Sequence, residues 1–172
     1  MRDGTVPFPP ARVDLASHHI SSGLLSTGER CKYSFMNESL SYKVDLSRKR
    51  VVVTYHASPS FEEWVCFMNG VFDHPDYRED FDVLLDRRAV PTTAETPCIT
   101  HAVEFIDKRL RRGARGRWAL VVSDLGNFGL GRMAEQLSDY YGCIRAFKNF
   151  EAAEEWLDQP GVFTPILGHA HA

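Results

Sequence analysis

The chain has 172 residues, room for one domain with an appendage. A hydrophobic fraction of 44% supports a sizeable core, and a net charge of -3 argues against a dedicated nucleic-acid binder, since such domains are usually strongly basic. No apolar run approaches the roughly 20 residues that span a bilayer, and no basic-then-apolar segment of signal-peptide type opens the chain.

The four cysteines, Cys31, Cys66, Cys98 and Cys143, are scattered without a C-x-x-C pair, which points to reduced thiols in a cytoplasmic protein. Residues 1–35 differ from the rest. Pro7-Phe8-Pro9-Pro10 is stiff and extended, Ser17 to Gly28 is rich in Ser, His and Gly, and neither stretch has a sustained period. The expectation is a poorly ordered tail with at most a short helix near Val13 to Ile20, and with His18-His19 solvated, because adjacent side chains point apart. Met36 immediately precedes the first periodic segment, so the domain is expected to run over 36–160, with the tail before it dispensable and 161–172 a C-terminal tail.

Leu40, Tyr42, Val44 and Leu46 alternate with Ser41, Lys43 and Asp45, the pattern of a half-buried strand. Ser47-Arg48-Lys49 reads as the turn and Arg50 to His56, rich in β-branched residues, as the returning strand of a hairpin. Ser60-Phe61-Glu62-Glu63 is a capping box, and Phe61, Trp64, Val65, Met68, Val71 and Phe72 form the apolar stripe of the helix behind it. His74-Pro75 breaks that helix. The near-continuous apolar run from Phe81 to Asp86 suits a parallel strand covered on both faces.

Thr96-Pro97 reads as N-cap and first helical residue, Ile99, Ala102, Val103, Ile106 and Leu110 as the buried stripe, and Gly113 as the C-terminal cap. Lys108, Arg109, Arg111, Arg112, Arg115 and Arg117 form a basic cluster, read first as a solvated helix end that offsets the dipole and second as an anion patch. A strand from Arg117 to Val122 leads into a Gly-rich turn, Ser123 to Gly131. The helix after it should bury Leu130, Met133, Ala134 and Leu137 and end at Gly142. A strand from Cys143 to Phe147 follows. Asn149 caps a last helix whose Ala152, Ala153, Trp156 and Leu157 face inward. The fold class is therefore α/β: a mixed sheet of about five strands, an N-terminal hairpin then parallel strands, flanked by four helices.

This order, with Asp82-Val83-Leu84-Leu85-Asp86-Arg87-Arg88, the Phe128-Gly129-Leu130-Gly131-Arg132-Met133 segment and the ending Phe147 to Leu157, resembles the SpoIIAA-like family within the STAS and Sec14-like group, over about Leu40 to Asp158. The resemblance implies a non-catalytic regulator of a protein partner. In founding members a Ser after the third strand is phosphorylated; here Ala89 to Pro97 holds no Ser, only Thr92, Thr93 and Thr96, so that switch is not expected. Sec14-like relatives bind lipids, which keeps a small apolar ligand open.

The strands ending at Asp86 and Val122, if parallel, bring their following loops to one end of the sheet. The expected binding surface is thus Asp86, Arg87, Arg88, Asp124, Gly126, Asn127, Phe128 and Gly129. The arginines favour an anionic group, Phe128 in its turn offers an apolar contact, and amides of the helix starting near Phe128 would point there. Gly126-x-x-Gly129-x-Gly131 has neither the dinucleotide nor the Walker spacing, so close packing is the better reading of its glycines. An ion pair between Asp86 and Arg88 is the competing account of that motif.

Three functions stay open: a STAS-like interaction domain, a small-molecule or lipid-binding domain, and an enzyme using Asp86 and Asp124 as acid and base. No cofactor and no metal site is expected; His169 and His171 are only a weak metal signal. The partner is a protein or a small anionic or apolar ligand, without nucleic acid or a membrane span, and a homo-oligomer is compatible.

Overall fold

The computed structural model describes residues 38–90, 96–161 and 164–165. The expectations for residues 1–35, for Thr92 and Thr93, and for His169 and His171 lie outside them. As read from the sequence, the fold is α/β, with a mixed five-stranded sheet and four helices.

Strands β1 (Leu40–Asp45) and β2 (Arg50–Tyr55) form the antiparallel hairpin, with Leu40 opposite Tyr55 and Asp45 opposite Arg50. The turn closes because the Asp45 carboxylate accepts from the backbone N–H of Ser47 and Arg48, while Lys49 takes a left-handed φ of 50°. Next come α1 (Phe61–Phe72), β3 (Asp82–Asp86), α2 (Thr96–Arg111), β4 (Trp118–Val121), α3 (Leu125–Leu137), β5 (Tyr140–Tyr141), β6 (Ile144–Phe147), α4 (Phe150–Asp158) and β7 (Thr164–Pro165). The sheet order is β1-β2-β3-β4-β6, and β2, β3, β4 and β6 run parallel. β5 and β7 pair separately, within the segment read as connection and tail.

Strand periodicity assigns each side chain to one of two layers. Val51, Val53, Tyr55, Val83, Leu85, Trp118 and Ile144 belong to the larger core, which α1, α2 and α3 cover. Val52, Leu84, Ala119, Val121 and Phe147 belong to a smaller one, covered by Ala153, Trp156 and Leu157 of α4. The capping box of α1 is present in both its hydrogen bonds, and Trp64, Met68 and Val71 are its buried residues. Gly113, at φ 105°, terminates α2 as expected. The Asn149 side chain accepts from the Ala152 N–H at the start of α4.

Several expectations need correction. The Gly-rich turn is not a turn: α3 begins at Leu125, so Gly126, Asn127, Phe128, Gly129 and Gly131 lie in its first two turns. Asp124 is the N-cap, its Oδ1 accepting from the Asn127 N–H at 2.8 Å. Tertiary packing overrides the poor helix propensity of glycine here. A Cβ on Gly131 would stand 2.6 Å from Ala146 Cβ and 3.1 Å from a Leu120 methyl, so this glycine lets the helix lie close on the sheet. Because α3 starts early, its buried residues are Asn127, Gly131 and Ala134, whereas Leu137 is 44% exposed. The helix also ends at Leu137, capped by Ser138, rather than at Gly142. α2 begins at Thr96 itself, which puts Thr96 inside the helix instead of at its cap. Ala152 is exposed, and Trp156 is only half buried.

The basic cluster is dispersed. Arg109 pairs with Glu79 and stacks on Phe72, and Arg111 pairs with Asp139. Arg117, 7% exposed, turns to the α4 layer. There it donates to the carbonyls of Trp156, Leu157 and Gln159 and pairs with Asp82. With Arg50, which holds Glu154 and Asp158, it places two guanidinium groups at the negative end of α4.

Candidate functional site

The carboxyl ends of the four parallel strands fall at Tyr55, Asp86, Val121 and Phe147, as the sequence argument requires. The eight residues expected there do not all fall in one layer of the structure. Alternation past the end of β3 sends Asp86 and Arg88 to the α4 layer and Arg87 to the opposite one. Arg88 donates through Nε and Nη2 to the two Asp86 oxygens, both at 2.9 Å, and its guanidinium lies 4.7 Å over the Phe150 ring. The ion-pair account of this motif is therefore what the structure contains. Burial pushes the Asp86 carboxyl up, but the Arg88 side chain, backbone N–H and charge outweigh it and hold the group below the usual aspartate value.

Asp124 is likewise engaged in structure. Besides capping α3, its Oδ2 accepts from Asn127 Nδ2 at 2.7 Å, and that same amide donates to the Val90 carbonyl at 3.3 Å. Asn127, 3% exposed, thereby ties the start of α3 to the loop after β3. The Phe128 N–H bonds the Asp124 carbonyl, and the Phe128 ring is half buried under Lys148 Nζ at 4.7 Å. Gly126 and Gly129 are exposed on the helix, and a Cβ on Gly129 would touch nothing within 4 Å. The exposed apolar residue of this region is Leu125, at 75%, not Phe128.

Arg87 marks a different site. Between the sheet and helices α1 to α3 lies a cavity of about 180 Å³. Its floor is Leu85, Trp118, Leu120 and Ile144, and its walls are Trp64 of α1, Ile99, Val103 and Ile106 of α2, and Ala134 of α3. Toward the carboxyl end of the sheet it is bordered by Tyr55, Ser58 to Phe61, Arg87 and Cys98. The helices create this space together: Trp64 meets Phe105 edge-on at 5.2 Å, which sets α1 against α2, while Gly131 brings α3 down onto Leu120. Leu120 is only partly buried, although it lies in an inner strand.

The polar furniture is sparse. Among the described residues, Arg87 is the one charged residue lining the cavity. Its guanidinium lies 4.9 Å over the Tyr55 ring, and its Nε is buried with no hydrogen-bond partner among the described residues. Burial pushes the Tyr55 phenol up to about 12, against the opposing pull of the Arg87 charge and of a Trp64 hydrogen bond, so it is a neutral hydroxyl at physiological pH. Among the described residues, no group of three or more His, Cys, Asp or Glu could hold a metal ion, and no helix is long and apolar enough to cross a membrane.

Of the expected residues, then, Arg87 alone lines the cavity. Tyr55, Trp64, Leu85 and Trp118 were not foreseen as lining a site. Period-two alternation does separate 83, 85 and 87 from 84, 86 and 88, so the splitting of Arg87 from Arg88 has a sequence signal. A second buried cluster was also missed. Asp107, 3% exposed, accepts from Ser138 Oγ at 2.6 Å and from the Asp139 N–H at 2.8 Å, and Ser138 Oγ lies 3.1 Å from Cys143 Sγ. Its signal was a carboxylate at position 107 of the 103-106-107-110 stripe, which needs a partner. Burial pushes the Cys143 thiol up to about 12, so it packs as an inert side chain. Comparison with protein families, with curated proteins and with solved structures finds no match to this chain.

Proposed function

We propose that this is a non-catalytic binding domain for a small, mainly apolar molecule held between the sheet and helices α1 to α3. The observation that carries the reading is the cavity of about 180 Å³, with aromatic and aliphatic walls, which runs from the starts of β4 and β6 to the carboxyl end of the parallel sheet. Ligands of open α/β sheets bind at that end, and apolar walls with few convergent polar groups are the usual build of such sites. An acid–base role for Asp86 and Asp124 has less support, because Arg88 engages one carboxylate and Asn127 the other.

The SpoIIAA-like resemblance is part of this proposal. An antiparallel hairpin followed by parallel strands agrees with it, and its implied regulatory role would have ligand occupancy as input. A protein partner would then dock at the same end, where Leu125 is exposed.

Native mass spectrometry of protein purified from its own host tests the binding reading. The expected result is a mass excess lost on mild denaturation, and lost also from the Ala102→Phe variant, whose added ring would fill the cavity. Retention of the same mass by folded Ala102→Phe protein would place the ligand elsewhere, and a consistently bare wild-type protein would count against the reading.

A further inference from the structure

We propose that the molecule taken by this cavity is a small monocarboxylate, its carboxylate on the Arg87 guanidinium and its apolar body between Trp64, Leu85 and Trp118. The inference rests on the binding reading above and deepens it by naming the chemical class of ligand.

The contrast between neighbouring arginines carries it. Arg88 has a carboxylate, held in two hydrogen bonds. Arg87 forms no ion pair with any described residue. Its Nε, like that of Arg50, is shielded from solvent without a partner among the described residues, but Arg50 has two carboxylates on its terminal nitrogens. Tyr55, the ring beneath it, contributes an aromatic face but no counter-charge. A guanidinium set in an apolar wall without an opposite charge is destabilising. A carboxylate matches the planar fork of the guanidinium and can accept two parallel N–H bonds from its two terminal nitrogens, which balances the charge.

Charge number narrows the class. Among the described residues, one cation and no other charged group line the cavity. A monoanion is neutralised there, whereas a dianionic phosphate would carry a second charge with no partner into apolar surroundings. Size narrows it further. An apolar cavity of about 150 Å³ takes a benzene-sized guest, so the space here suits a body of roughly six to eight carbons.

The test compares phenylacetate with its neutral isostere phenylacetamide and with toluene. Titration calorimetry gives affinities, and the indole N–H signals of Trp64 and Trp118 report occupancy of the cavity. Phenylacetate should bind wild type at least about tenfold more tightly than phenylacetamide. Arg87→Met should erase that preference while toluene still shifts both indoles. Arg87→Lys, which keeps the charge but loses the fork, should fall between; it serves also if Arg87→Met does not fold. Equal binding of acid and amide to wild type, with both indoles shifted, would overturn the carboxylate assignment and leave the binding reading standing. Failure of all three probes to move either indole at about 10 mM would overturn the binding reading itself. Tight acid binding that leaves the indoles unmoved would show an anion site elsewhere and refute the proposal.

Discussion

Two faces of one sheet handle charge in opposite ways. On the α4 face three arginines beside the last helix have partners: Arg88 holds Asp86, Arg50 holds Glu154 and Asp158, and Arg117 holds Asp82 and three carbonyls. On the opposite face Arg87 stands at the edge of an apolar cavity without a counter-charge among the described residues. The covering differs in the same sense. A single short helix clamped at its negative end closes one face, and three helices meeting over the other leave space between them. The comparison teaches that a closed face is built by satisfying its charges internally, and that an unsatisfied charge beside a void is where a ligand's chemistry should be sought.

The hardest way to break this contrast is to remove the clamp. Arg117→Met takes the guanidinium from Asp82 Oδ2 and from three carbonyls, while the backbone N–H of residue 117 still holds Asp82 Oδ1, and should cost about 3–5 kcal/mol, read from the urea midpoint. Arg88→Ala removes an ion pair from the same face, but Arg88 is exposed, so its loss should cost under about 1 kcal/mol. Equal losses in the two variants would mean that α4 is not held by its carboxyl end.

Glycines sharpen the comparison on the cavity side. Gly131→Ala forces a methyl against Ala146 and Leu120 and should destabilise by about 1–3 kcal/mol, lifting α3 from the cavity floor. Gly129→Ala, in the same helix with open space around the new methyl, should instead stabilise by roughly 0.5–1 kcal/mol. Melting curves of both decide it. A similar loss in each would show that helix start, rather than close approach, is what those glycines serve.

The smallest effect concerns the buried carboxylate that ties α2 to the end of α3. Burial raises the Asp107 carboxyl above its ordinary 3.8, against hydrogen bonds from the Asp139 N–H and from Ser138 that lower it. The folded state therefore keeps this proton to higher pH than the unfolded chain does. Its contribution is full below the ordinary value and declines as pH rises through the folded one. Asp107→Asn, always neutral, should gain relative to wild type as pH is raised from about 4 to neutrality. Its lost acceptor adds a constant offset, so the slope is the reading. A wild-type-minus-variant difference flat with pH would show that burial does not disfavour the charge.

Much of the fold was legible because its signals are local. The hairpin follows from alternation in Leu40 to Leu46, the start of α1 from Ser60 and Glu63, the end of α2 from Gly113, and the last helix from Asn149; each is decided within a few residues by hydrogen bonding or sterics. The parallel setting of Phe81 to Asp86 followed from its apolar run. The eight-residue site was legible only as a location. Five of its residues come from one glycine-rich stretch that composition reads as a loop, and burial of Asn127 and Gly131 turns that stretch into helix.

What the chain determined unaided is thus element order, caps and the alternation that parts Arg87 from Arg88, since backbone geometry alone sets these. What the tertiary structure decided is which arginine meets a carboxylate and where the packing stays open. Those depend on side chains far apart in sequence, such as Tyr55, Trp64, Arg87 and Trp118, whose meeting no local period records; a cavity is a property of how three helices fail to fill one face, and exists only once they are placed.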